Sequence, residues 1–225
     1  MLISNDSFSS LKVCYAKAVI KGLRETQGEK QSYTEYEKYS FDVMKRVIEV
    51  DAALDGLNIG LHYLEHEDLD LPVFRFSKVC VYHVENIISR LTTVEERMKL
   101  LVSTSLLKNN IRVASFKGKI QFDNLIDDFP VIKEKMGELS TIVSKYKTLR
   151  NEISHESSFT TSNVIVASTL EDTDIEIPIE HSEIKSEIIS STVSEFSELI
   201  VELDISIEAV VCALSEIYAD LIIET

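Results

Sequence analysis

No glycine or proline follows Pro178 in this chain of 225 residues. Over that stretch the apolar residues recur at helical spacing: Ile184, Ile188, Phe196, Leu199, Leu203, Ile207, Val210, Leu214, Ile217 and Leu221. The pattern predicts one helix starting near His181 or Ser182. At a rise of 1.5 Å per residue, roughly forty residues span ~60 Å, more than a compact domain of this size needs. Such a helix either bends, near Ser190-Ser191-Thr192, or projects and packs its stripe on a second copy, which predicts a homodimer. It is no membrane span, because Glu202, Asp204, Glu208, Glu216 and Asp220 interrupt it.

The rest of the chain reads the same way. Six glycines and three prolines are too few for a turn-rich all-β fold. A first helix is predicted from Ser9-Ser10, acting as its cap, to about Arg24, with Leu11, Cys14, Tyr15, Ala18, Val19 and Leu23 inward. Thr34-Glu35-Tyr36-Glu37 reads as a capping box opening a second helix, which can run to Leu64 although Gly56 and Gly60 loosen it. Pro72 suits the first turn of a third, from about Val73 to Leu91, and Thr92-Thr93-Val94-Glu95 reads as a break before a continuation to Leu106. Pro130 starts another helix, striped by Ile132, Met136, Leu139, Val143, Tyr146, Leu149 and Ile153. Residues 159–180 differ: Phe159 to Ala167 is rich in β-branched residues and Asp174 to Ile179 alternates, so a small β-hairpin or extended insertion is predicted there. The expected fold class is an all-α helical bundle of five to six helices, as a single domain over 1–225.

Charge is unevenly spread. From Glu171 to the end there are fifteen acids and one base, Lys185, so the body is close to neutral within a net charge of −15. A uniformly acidic protein would repel nucleic acid, whereas a neutral body with a local basic site need not. The acidic segment reads first as a solvated helix face and second as a dock for a basic partner. Cys14, Cys80 and Cys212 are scattered and odd in number, which is neither a disulfide framework nor a zinc set, and they read as core residues of a cytoplasmic protein. Residues 1–6 lack a basic region followed by an apolar run, so no signal peptide is expected. His62 and His66 have the spacing of two metal ligands, but no third ligand is evident and the stretch reads as an exposed helix end.

The densest chemistry lies at Leu149-Arg150-Asn151-Glu152-Ile153-Ser154-His155. An imidazole of ordinary pKa about 6.5 gives or takes a proton at neutral pH. A guanidinium presents a planar fork of donors to phosphate oxygens, and an amide can orient either group. On a helix Asn151 and His155 share a face, while Arg150 and His155 are roughly 140° apart, within reach through the long arginine side chain. A helix end there carries partial negative charge and favours cations. The same helix supplied by two subunits would build such a site more easily.

Arg150, Asn151 and His155 resemble the RNxxxH form of the Rx4–6H signature of the HEPN superfamily. Its members are helical bundles, many of them ribonucleases of toxin–antitoxin and phage-defence systems. The long helices before and after the motif are similar to the layout of the abortive-infection (AbiV-like) branch, over roughly Leu71 to Leu221. The resemblance implies an endoribonuclease that needs no metal or other cofactor. His155 would act as general base or acid, Arg150 would hold the phosphate, and Asn151 would orient one of them. It also implies RNA as substrate and an antitoxin or defence-system protein as partner. HEPN-like folds often bring a polar residue from an earlier helix to the Arg–His pair, and Glu85 and Asn86 are the candidates. Some family toxins carry a tyrosine two residues after the histidine; Ser157 stands there, so regulation by tyrosine modification is not supported. Arg112, Phe116, Lys117 and Lys119 lie in the most basic loop-like stretch, Ile111 to Gln121, with an interleaved aromatic that suits single-stranded RNA. The competing reading is a non-catalytic HEPN-like module that binds RNA, a nucleotide or a protein.

Overall fold

The computed structural model describes residues 1–66, 73–107, 111–155, 162–172 and 180–223. Two 3-10 turns, Leu2–Ser4 and Asp6–Phe8, lead into α1 (Ser9–Thr26). Then come α2 (Glu35–His66), α3 (Phe76–Ser105), α4 (Phe116–Ile126), α5 (Pro130–His155), α6 (Ser162–Asp172) and α7 (His181–Ile223). The protein is an all-α helical bundle, with seven α-helices among the described residues rather than five or six. No described helix is long and apolar enough to cross a membrane.

The two additional helices fall where the sequence reads otherwise. Ser162–Asp172 is helix, not the predicted strand. A short β-branched run carries no period that separates strand from helix, so contacts elsewhere decide. Ala167 is buried, and four residues on, one helical turn away, the Glu171 carboxylate reaches Ser77. It accepts from Ser77 N at 3.2 Å and from Ser77 Oγ at 2.6 Å. Ser77 lies in the first turn of α3, whose N–H groups lack helical partners and favour a negative charge. The alternating stretch Asp174 to Ile179 lies outside the described residues. The other addition is α4: Phe116, Lys117 and Lys119 stand on its first turns and not in a loop.

Three further expectations change. The Thr92–Glu95 break is absent, because both threonines turn back on their own helix, each hydroxyl donating to Ser89 O at 2.9 and 3.1 Å. That helix starts at Phe76 rather than Val73. Ser9 and Ser10 do not cap α1, which follows on from the preceding 3-10 turn without a side-chain cap. Leu23 and Cys212 are exposed, so neither is a core residue, whereas Cys80 is buried and its thiol is pushed up to about 11 by that burial.

The described chain forms two compact units whose boundaries fall inside α2, α3, α5 and α7. Unit 1 comprises residues 1–53, 94–140 and 205–225. Its core includes Phe8, Leu11, Met44, Met98, Leu101, Phe122, Leu139 and Leu214. Burial of each such side chain contributes about 1.5–3 kcal/mol. Most of its buried polar groups are paired, while the Ser40 and Ser206 hydroxyls are buried without a hydrogen-bond partner among the described residues. Tyr39 Oη donates to Ser105 O at 2.9 Å, taking up a carbonyl at the end of α3. Ser105 Oγ donates to Leu101 O, so the 2.7 Å contact with Tyr218 runs from the phenol to the serine. Glu95, 1% exposed, is held by Lys99 Nζ at 2.9 Å and by the Ser140 hydroxyl at 2.7 Å, which ties α3 to α5.

Unit 2 comprises residues 54–93 and 141–204. Leu57, Leu64, Ile87, Ile88, Leu91, Val143 and Phe196 are among its buried residues. Gly56 and Gly60 let α3 lie close on α2. A Cβ at Gly60 would stand 3.0 Å from Ile87 Cγ1, and one at Gly56 would strike the Arg90 guanidinium.

The capping box of α2 forms as expected. Glu37 N donates to Thr34 Oγ1 at 3.1 Å and Thr34 N to Glu37 Oε2 at 2.9 Å. Lys21 Nζ also donates to both Glu37 oxygens, at 2.7 and 2.6 Å. The Lys21 hydrogen bond first, then the Thr34 N–H, holds the Glu37 carboxyl below its ordinary value. A depressed carboxyl stabilises the fold above its unfolded pKa, about 4.3, and loses that contribution as pH falls through the lower folded value. The stability lost in Glu37→Gln should therefore be full at neutral pH and shrink below about pH 4.3, in urea unfolding run across that range.

Candidate functional site

α5 carries the motif. Pro130 occupies its first position, where a missing N–H costs nothing, and Ile132, Met136, Leu139, Val143 and Tyr146 are buried along one stripe. The helix runs unbroken to His155. Arg150 and Asn151 are both exposed on its last turns, and His155 is its final residue, four after Asn151. The side-chain placement of His155 lies outside the described residues, as do Ser157 and the segment around it.

What holds this end of α5 was not anticipated from the sequence. Tyr146, one turn before Arg150, is buried against Phe196 of α7 with ring centroids 6.0 Å apart. Its hydroxyl donates to Glu195 Oε1 at 3.0 Å, and Lys145 Nζ reaches the same oxygen at 3.2 Å. Burial, then the neighbouring Glu195 carboxylate, holds the phenol above its ordinary range, so it stays a neutral donor at neutral pH. Glu195 precedes Phe196, so two adjacent residues of α7 receive one side chain of α5, one by hydrogen bond and one by ring contact. The signal available in the sequence was weak: an acid beside an aromatic in an acidic segment that reads as a solvated face.

The supporting candidates are placed on α3 in the same unit. Glu85 and Asn86 are half-buried. Asn86 Oδ1 accepts from Arg90 Nε at 3.2 Å, and the Arg90 guanidinium lies over Gly56 of α2. Asn86 thus orients an arginine that the sequence reading left without a role, and Gly56 is the room that arginine occupies. His62 and His66 stack ring on ring, centroids 4.4 Å apart, at the end of α2. No group of three or more metal-ligating side chains is gathered among the described residues.

Arg112, Phe116, Lys117 and Lys119 gather around the start of α4, in unit 1. Ser115 caps that helix, accepting from Gly118 N at 3.0 Å, while Ser115 N and Oγ both donate to Arg112 O at 2.9 Å. A Cβ at Gly118 would collide with the Arg112 carbonyl, so the turn closes only on glycine. Phe116 is 81% exposed, and all three bases are exposed beside it. Cations, an open ring and a helix N-terminus together attract phosphate and offer a base something to stack on. The motif residues lie in unit 2, so the two candidate clusters belong to different units.

A shallow depression along α7 is lined by Ser182, Ser186, Ser190 and Ser194 with Glu183 and Glu187. Its acids disfavour a phosphate ligand.

No protein-family model, no curated protein and no solved structure matches this chain.

Loss of the hydrogen bond in Tyr146→Phe should cost about 0.5–1.5 kcal/mol, and Glu195→Ala a comparable amount. Because both remove one interaction, the double variant should cost clearly less than the two singles added together, in chemical unfolding of all four proteins.

Proposed function

We propose that this protein is a metal-independent endoribonuclease acting through Arg150, Asn151 and His155. His155 takes the proton from a ribose 2′-hydroxyl, whose oxygen attacks the adjacent phosphorus. The bond to the 5′-oxygen breaks, leaving a 2′,3′-cyclic phosphate and, once that oxygen is protonated, a 5′-hydroxyl. Arg150 holds the phosphate and stabilises the charge that grows on it, and Asn151 orients the imidazole or the phosphate. Two subunits pairing their motif helices would supply both a base and an acid. The reading places the protein in the cytoplasm, in a toxin–antitoxin or phage-defence setting with a partner that restrains it.

The observation that carries the reading is the setting of the motif. Arg150 and Asn151 stand in solvent on the last turns of a helix that is continuous to His155 and anchored one turn earlier by Tyr146. Both side chains are open to a ligand, as a phosphate-binding pair must be. The cluster at the start of α4 supports RNA as that ligand.

Purified protein incubated with total RNA in EDTA should cleave it and leave cyclic-phosphate ends. Arg150→Ala and His155→Ala should each lower the rate by about 100-fold or more. Equal cleavage by all three proteins would move the chemistry to another site, and no cleavage by any, with RNA still bound, would leave a non-catalytic binding module. Binding to a single-stranded oligonucleotide should weaken in Phe116→Ala by about 1–3 kcal/mol, the usual contribution of one stacked base, read by fluorescence anisotropy.

A further inference from the structure

Within unit 1, α1 turns an apolar face to solvent, and the C-terminal part of α7 turns out a mixed face of small apolar residues and glutamates around Ile205. On α1 the inward residues are Leu11 and Ala18, while Val13, Ala16, Ile20 and Leu23 are all exposed on another side. Val13 is 62% exposed, Ile20 52% and Leu23 59%. Their spacing of three, four and three residues is that of a coiled-coil seam. On α7, Ile205, Glu208, Cys212 and Ala219 are exposed along one stripe at the same period, and Ile205 is 64% exposed. Single exposed apolar residues are ordinary, but a run of four at seam spacing is a face made to be covered.

The two faces carry opposite charge. Along α1, Ser9 to Thr26, there are four bases and one acid, Glu25, which accepts from the Tyr33 hydroxyl, and Lys17 and Arg24 stand exposed next to the stripe. From Ile205 to Ile223 there are three acids and no base, and Glu208 and Glu216 are exposed on the α7 stripe. We propose that these faces bind a second copy of this chain, with α1 of one copy laid along the C-terminal part of α7 of the other. The charges select that pairing. Packing α1 on α1 would bring Lys17 and Arg24 together, and packing α7 on α7 would bring Glu208 and Glu216 together, so both like pairings are repelled and the mixed one is attracted. Lys21 takes no part, being occupied by Glu37. The contact stands apart from the nuclease reading, because none of these residues belongs to the motif.

Mass in solution, by analytical ultracentrifugation across protein and salt concentration, tests it. At low salt the mass should exceed the 25.5 kDa monomer and fall toward it as salt rises. Lys17→Glu with Arg24→Glu should give a monomer, and so should Glu208→Lys with Glu216→Lys. Mixing these two variants should restore association that neither shows alone, because each then offers the other two faces of opposite charge. All four sites are exposed, so helical circular dichroism should be unchanged. A parent that stays at 25.5 kDa throughout would overturn the proposal, as would association that survives both charge reversals. Monomeric binding to phosphatidylserine vesicles, lost in the Lys17/Arg24 variant, would give the α1 face to a lipid surface instead. RNA cleavage enters none of these readouts, so a nuclease that dimerises by another surface would sink this contact and leave the proposed activity intact.

Discussion

A helix of thirty or more residues cannot stand in water with its apolar stripe uncovered, and this chain has three at or above that length among its described residues, α2, α3 and α7. Helix propensity holds little of such a helix together; burial of the stripe does most of it. The sparse glycines and prolines leave almost no chain for turns, so each stripe must be covered by another helix. The polar contacts follow from that constraint. Glu95 with Lys99 and Ser140, and Tyr39 with Ser105 and Tyr218, are what helices require when their packing takes polar groups out of water.

Strongly periodic segments were readable from sequence. The capping box at Thr34, the proline start of α5 and the long uninterrupted α7 all stand where spacing and cap chemistry put them. Each signal is local, and the tertiary structure had no reason to override it. Sequence and structure part where the deciding interaction is distant. In α6, Ala167 is buried and Glu171, one turn on, bonds to Ser77, 94 residues away in sequence. The Thr92–Thr93 pair resembles a cap, but a threonine hydroxyl can equally satisfy a carbonyl of its own helix.

The candidate site shows the same division. The motif residues could be chosen from their chemistry alone, and their helix and its end were foreseen. The Tyr146–Glu195 tie could not be, since nothing local in an acidic segment marks which glutamate meets a tyrosine 49 positions earlier. Nor could Gly56, which in sequence only weakens a helix and in the structure makes room for Arg90.

The buried phenols give the molecule an optical property of its own. The chain has no tryptophan, so its near-ultraviolet signal rests chiefly on eight tyrosines. Tyr39 and Tyr218 sit in unit 1 and Tyr146 in unit 2, and burial is the leading cause that raises all three phenols. Alkali should ionise the exposed tyrosines first and leave these dark near 295 nm until the surrounding helices let water in. Phenolate absorbance, followed in Tyr146→Phe beside the parent, separates the opening of one unit from the opening of the other without any attached label.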